Sequence, residues 1–297
     1  MTGAATILPD DLVSVDWLRD HHLEPALQVL DIRGYVHADN LGGGRQRATY
    51  TGARDEFEAA HIPGSVFIDW TRDIVDSETD VPAQIADPEQ FAARLGASGV
   101  DAGTDVVVVD HAGGHFATRL WWALRYYGHD RVAVLDGGFT RWREAGYPTE
   151  AGEATASPKT FVPAVRPELV SDADDVLALI HAGRGQIVDA RDRETFAGAV
   201  QRGSRGGHVP GSLNLPAKDL IGDDGSWKSP EAIRETARAS GLDLDAPVTA
   251  YCNGGVTATA VLFGLHRAGL RDFSNYDGSW NEWGERDDLP AEGNRDL

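Results

Sequence analysis

Cysteine is almost missing from this chain: Cys252 is the only one in 297 residues, which excludes an internal disulfide and suits a reducing compartment. Long apolar runs are missing too. None approaches the ~20 residues of a membrane-spanning helix, and residues 1–10 lack a basic region followed by an apolar stretch, so a cytoplasmic location without membrane contact is expected. Basic residues are few, 27 Lys and Arg against 47 Asp and Glu for a net charge of −20. That balance argues against nucleic acid, whose phosphates need a basic face. A small anionic ligand is compatible with it only if local Arg, Lys and backbone N–H groups act within the ~8–10 Å over which salt screens the overall field. What is present suffices for two domains with cores of their own, since 41% of the residues are hydrophobic.

The lone cysteine stands in an informative place. Val248 to Tyr251 reads as a strand, Cys252 ends it, Gly254 and Gly255 make a tight loop, and the apolar run Ala258 to Leu270 reads as a helix. Such an order aims backbone N–H groups and the positive end of a helix dipole at an anion on Cys252, and so favours a thiolate nucleophile. A free cysteine is more often a small buried hydrophobe. Here the two glycines reverse that preference, because they permit the backbone shapes of a loop wrapped around an anion.

The chain also repeats itself. Ile187-Val188-Asp189 answers Val29-Leu30-Asp31, His208 to Ser212 answers His61 to Ser65, Tyr251 to Gly255 answers Val109 to Gly113, and Asp277-Gly278 answers Asp136-Gly137. Four matches in one order indicate duplication. Strands alternating with helical runs imply α/β architecture, two domains each with a mainly parallel sheet flanked by helices, spanning 1–150 and 168–297. The proline-interrupted stretch between Gly146 and Pro167 is the expected linker. Residues 34–52, with Gly42-Gly43-Gly44, Arg45 and Arg47, are expected to be a flexible surface loop. They are not a phosphate cradle, since no Gly-Lys-Ser/Thr follows. His61 and His208 repeat beside the same Pro-Gly turn, which marks them as architectural. In the first copy Asp110 takes the position of Cys252. A metal site on Asp110, His111 and His115 lacks a fourth ligand and is set aside, leaving metal none.

Cys252-Asn253-Gly254-Gly255-Val256-Thr257 resembles the active-site loop of the two-domain rhodanese family of sulfurtransferases. Asp277-Gly278-Ser279-Trp280-Asn281-Glu282-Trp283 and the two His-x-Pro-Gly-Ser turns resemble further motifs of that family, so the likeness spans nearly the whole chain. It implies two rhodanese-like domains, the first non-catalytic. It also implies transfer of sulfane sulfur from thiosulfate or 3-mercaptopyruvate, through a persulfide on Cys252, to cyanide, a thiol or an acceptor protein, without a cofactor. The loop residues Asn253, Gly254, Gly255, Val256 and Thr257 are the expected substrate-binding groups. The family's substrate-binding Arg is replaced here by Thr195, with Arg193 the expected substitute and Arg202 or Arg205 as alternatives. Arg191 is expected to pair with Asp189. Uncharged loop residues lean toward 3-mercaptopyruvate, although the Ser and His of the animal-type enzymes have no counterpart. A phosphatase of the Cdc25 type needs Arg six positions after the cysteine, where this chain has Ala258. A non-enzymatic sulfur carrier or interaction module is the alternative. Trp280 and Trp283 are expected to anchor a core.

Overall fold

The computed structural model describes residues 5–111, 113–183 and 185–293. The first half runs β1 (Leu12–Val13), α1 (Val15–His21), β2 (Leu27–Asp31), β3 (Gly34–Gly42), β4 (Arg45–Gly52), α2 (Arg54–Ala59), β5 (Val66–Phe67), α3 (Pro88–Ala97), β6 (Asp105–Val109), α4 (His115–Tyr126), β7 (Val132–Leu135) and α5 (Gly138–Glu144). The second half runs β8 (Val170–Ser171), α6 (Ala173–Ala182), β9 (Gln186–Asp189), α7 (Arg193–Phe196), β10 (Gln201–Arg202), β11 (Leu213–Asn214), α8 (Pro230–Ala239), β12 (Val248–Tyr251), α9 (Val256–Arg267), β13 (Phe273–Tyr276) and α10 (Ser279–Trp283).

Each half builds one parallel sheet of five strands, ordered β1-β7-β6-β2-β5 and β8-β13-β12-β9-β11. The orders coincide when the halves are superposed in sequence, as duplication requires. The all-valine interior of β6 is buried on both faces, which a central strand between two helix layers demands. Local signals start the helices: Pro88 opens α3 behind Asp87, whose side chain accepts from the N–H groups of Glu89 and Gln90, and Ser229 caps α8 in the same way.

The strand ends repeat as well. Asp31 accepts from the backbone and side chain of Arg33, and Asp189 does the same for Arg191, at 2.9–3.1 Å in each case. Arg191 is thereby fixed at the end of β9, as the sequence suggests. His61 stacks on Phe57 and bonds the Phe57 carbonyl through Nδ1, and His208 does so with Phe196. Both imidazoles hold turns. Trp280 and Trp283 are buried in the second domain's core.

The two halves are welded along α4 and α9. Trp121 meets Phe263 edge to face at 5.0 Å, and Thr259 Oγ1 donates to Thr118 Oγ1 at 3.3 Å. One apolar cluster therefore runs through both sheets. The chain between Glu144 and Pro167 forms no helix or strand. It is strapped to the first domain by bonds such as Lys159 N–H to Gly96 O and Ala164 N–H to Tyr127 O, both 2.9 Å.

Residues 34–52 correct the sequence reading. They form an antiparallel hairpin, β3 against β4, rather than a flexible loop, and β4 adds β10 of the second half in parallel through Gln201↔Arg45 and Arg202↔Gln46. Positive φ angles at Gly42, Gly43 and Gly44 turn the hairpin. Its alternating side chains are mostly polar, and its inner face is defined by what packs against it, Trp70 of the first domain on Tyr50 and β10 of the second half on β4.

Candidate active site

Cys252 lies at the end of β12, 3% exposed, on the floor of a cavity of about 470 Å3 between the domains. The loop after it is shaped from behind. Cys252 O accepts from Trp280 N–H at 3.1 Å and Asn253 O from Asn281 N–H at 2.7 Å, so the start of α10 turns these carbonyls away from the cavity. Ser279 completes the arrangement. Its Oγ accepts from Cys252 N–H (3.1 Å) and Gly255 N–H (2.9 Å) and donates to Tyr276 O (2.7 Å). Ser279 holds φ at +52°, a conformation that costs a side-chain-bearing residue and persists because three hydrogen bonds determine it. The motif Asp277-Gly278-Ser279 was visible in the sequence, but this role of its serine was not.

Among the described residues, the N–H groups of Asn253 and Gly254 have no hydrogen-bond partner, and those of Val256 and Thr257 are the unpaired first donors of α9. Gly255 N–H, expected to join them, is engaged by Ser279 instead. Gly255 itself sits at φ +70°, and a Cβ there would come within 2.8 Å of Asp277 O. Four residues with open amide donors thus line the cavity beside Cys252, where α9 begins, the elements of an anion site.

The other walls come from both halves. The hairpin and first domain supply Tyr35, Val36, Tyr50, Trp70, Phe116, His111 and His115, with Tyr50 edge-on to Trp70 at 5.4 Å and Phe116 at 4.8 Å from Trp70. The second domain supplies Asp192, Arg202, Lys218 and the Cys252 loop. Arg202 is oriented by its β4 neighbour, Nε donating to Gln46 Oε1 at 3.2 Å, while its terminal nitrogens make no hydrogen bond to the described residues. Arg193 lies elsewhere. Asp192 caps α7 and turns Thr195 inward, so Arg193, two positions away, faces out and pairs with Asp219 at 2.7 Å. Arg205 is turned to the carbonyls of Trp283, Arg286 and Leu289. Of the three arginines considered, the structure brings only Arg202 to the cavity.

Each domain also caps the other's loop. Residues 75–85 cover the Cys252 loop, with Ile85 N–H donating to Asp277 Oδ2 at 2.8 Å. Residues 221–227 cover the corresponding first-half loop, with Trp227 N–H donating to Asp136 Oδ1 at 2.9 Å and Gly113 N–H to Gly225 O at 3.2 Å. Ala112 of that first loop lies outside the described residues, as do 1–4, 184 and 294–297. In it, Asp110 Oδ2 accepts from Phe116 and Ala117 N–H at 3.1 and 3.2 Å, filling with a carboxylate the amide site that its counterpart leaves open. Burial pushes the Asp110 carboxyl above the usual range, against these two amides, and pushes His111 and His115 below theirs. Among the described residues no group of three or more His, Cys, Asp or Glu is arranged to hold a metal ion.

Comparison with known proteins decides the family. A model described as the rhodanese-like domain matches residues 14–145 and again 172–286. The chain belongs to the rhodanese family. It is 36% identical to thiosulfate/3-mercaptopyruvate sulfurtransferase 1, mitochondrial, of Arabidopsis thaliana, over 95% of this chain and 78% of that one. With the 3-mercaptopyruvate sulfurtransferase of Escherichia coli K12 it shares 33% identity, over 94% and 97% of the two chains. The crystal structure of SseA from Escherichia coli, a 3-mercaptopyruvate sulfotransferase by its description, matches with a TM-score of 0.80 at 31% identity, covering 91% of this chain and 98% of that one. This rhodanese is a sulfurtransferase with two rhodanese-like domains. No helix among the described residues is long and apolar enough to cross a membrane.

Proposed function

We propose that Cys252 carries the transferred sulfur as a persulfide and that 3-mercaptopyruvate is the donor. The observation that supports this most directly is the set of amides at Asn253, Gly254, Val256 and Thr257 that have no partner among the described residues and belong to the loop lining the cavity beside Cys252. A persulfide puts its negative charge on the outer sulfur, where those donors and the dipole of α9 act on it. Arg202 is assigned to the donor carboxylate. Its guanidinium reaches the cavity with its terminal nitrogens free, the geometry for a bidentate contact. The choice between donors follows from charge. Thiosulfate is a small dianion, and this loop offers it Asn253 and Gly254 instead of basic side chains, whereas a three-carbon keto acid matches one guanidinium and an apolar wall.

In this reading residues 168–297 form the catalytic domain, and the first domain, 1–150, contributes a wall and no nucleophile, since Asp110 stands at the cysteine position. The acceptor is a thiol or cyanide, and the protein works in the cytoplasm, where its single thiol stays reduced. Intact mass after incubation with 3-mercaptopyruvate, and separately with thiosulfate, tests the proposal. A gain of one sulfur, ~32 Da, absent in Cys252→Ser, is the expected result for a reactive thiolate. An unchanged mass with Cys252 reduced refutes it.

A further inference from the structure

The first-half loop, with Asp110 where the second has Cys252, carries chemistry of its own. His115 opens α4, a helix of 12 residues, and lines the same cavity as Cys252. Its Nδ1 is buried without a hydrogen-bond partner, and so is Oδ1 of Asp110, the oxygen not used by the amides of Phe116 and Ala117. The two groups interact electrostatically. A carboxylate oxygen and an imidazole nitrogen, both orphaned in one short loop, are complementary. A hydrogen bond from Nδ1–H to Oδ1 would satisfy both and orient the ring, as a carboxylate does for a catalytic histidine.

We propose that His115, oriented by Asp110, is the proton carrier for sulfur abstraction from 3-mercaptopyruvate, so that the domain without the nucleophile supplies the acid–base group. This rests on the persulfide reading of Cys252. The Cys252 thiolate attacks the donor sulfur, an S–S bond forms, the donor C–S bond breaks, and its electron pair goes to carbon as the enolate of pyruvate. The donor's S–H proton passes to Nε2 of His115, and the imidazolium returns it to the enolate. The products are Cys252–S–S⁻ and pyruvate, with no net proton taken or released. The two sulfurs together lose two electrons as the S–S bond forms, and the carbon gains two.

A base for this step has to be neutral at the outset, and burial keeps His115 so. His111 is the less suitable of the two imidazoles. It packs on Tyr35 at 4.7 Å between ring centres, and its Nδ1 stands 3.9 Å from Glu56 Oε2, on the hairpin side. The charged or titratable group that acts on His115 directly is Asp110; those that line the cavity with it are His111 on its own loop, Tyr35 and Tyr50 on the hairpin, and Arg191, Asp192, Arg202, Lys218 and Cys252 of the second domain.

The test compares two donors. Inorganic polysulfide yields its sulfur with a sulfur anion as leaving group, which needs no proton. His115→Asn and His115→Gln are expected to lower kcat with 3-mercaptopyruvate by ~10²-fold or more, the lower range for general acid–base catalysis. Persulfide formation on Cys252 from polysulfide, followed by intact mass, is expected to slow far less, and this split is the readout. Asp110→Asn keeps the amide contacts and is expected to give a smaller loss with a displaced pH–rate profile. Equal losses with both donors mean a structural role and overturn the proposal, as does undiminished turnover of 3-mercaptopyruvate. A wild-type protein that gains no sulfur from either donor fails the Cys252 reading instead.

Discussion

Arg119 Nη1 on α4 lies 2.5 Å from Asp277 Oδ1 just beyond β13, an ion pair between the two halves in which neither residue is more than 5% exposed. It is threaded through the segment that caps the Cys252 loop. Arg119 Nη2 donates to Ala83 O at 2.7 Å, Asp277 Oδ2 accepts from Ile85 N–H at 2.8 Å, and Arg119 Nη1 also reaches Gly255 O at 3.3 Å. Removing one partner strands the other charge in a dry interface, which costs about 3–5 kcal/mol. Asp277→Asn and Arg119→Met should each lower the urea midpoint accordingly, and the double variant should lose less than the sum of the two. Additive losses would show that the pair is not a coupled unit.

Ser279 makes a separable prediction, because its backbone strain and its hydroxyl act in opposite directions. Ser279→Gly relieves the cost of φ +52° but removes the acceptor for Cys252 N–H and Gly255 N–H. Leaving those two buried donors unsatisfied costs about 1–3 kcal/mol each. Sulfur-transfer kcat should therefore fall by at least ~10-fold in both Ser279→Gly and Ser279→Ala, if about 1.4 kcal/mol of that loss appears in the transition state. A glycine variant with wild-type kcat would mean that the loop needs the backbone shape and not the hydroxyl.

The contrast between Ser279 and the repeated motifs shows what the sequence could carry. Asp31 with Asp189, His61 with His208, and Asp110 with Cys252 are local signals. Each sits at a strand end or turn whose geometry depends on a few neighbouring residues, and duplication printed each one twice. The hairpin at residues 34–52 is different. Its alternation is explained only by tertiary partners, Trp70 against Tyr50, His111 against Tyr35 and Arg202 against Gln46, the last 156 positions away, so a polar ribbon with three glycines reads as a loop. The Arg119–Asp277 pair spans 158 positions and has no local trace. Arg193 was the natural substitute near Thr195 by position along the chain, and the helical turn capped by Asp192 aims it at solvent.

Arg202 should report on donor binding rather than on the chemical step. A charge-assisted hydrogen bond contributes about 1.5–3 kcal/mol, so Arg202→Met should raise KM for 3-mercaptopyruvate roughly 10- to 100-fold with a smaller change in kcat. Gln46→Ala, which removes the acceptor for Arg202 Nε without touching the cavity, should raise KM in the same sense by less. Steady-state kinetics on the two variants checks this. An unchanged KM in Arg202→Met would move the carboxylate to Lys218, which also lines that wall.

His129 sets a pH dependence of stability far from the reaction. It is 5% exposed, with Nε2 buried and unpaired, and desolvation lowers its pKa below the ordinary 6.5, only partly opposed by hydrogen bonds with the backbone of Arg131 and Thr104. In the unfolded chain the imidazole takes up a proton near pH ~6.5, and in the folded chain it does so only at lower pH. Between those two values the unfolded state binds more protons, so stability rises with pH there. The contribution is fully present above ~6.5 and declines as pH falls from there through the folded pKa. His111 and His115, shifted in the same direction by burial, add to the slope. Urea midpoints should therefore drop between pH 7.5 and 5.5, and His129→Gln should shrink the drop while leaving the other two histidines' share. Equal drops in wild type and variant would mean that His129 gains its proton as readily in the fold as in water.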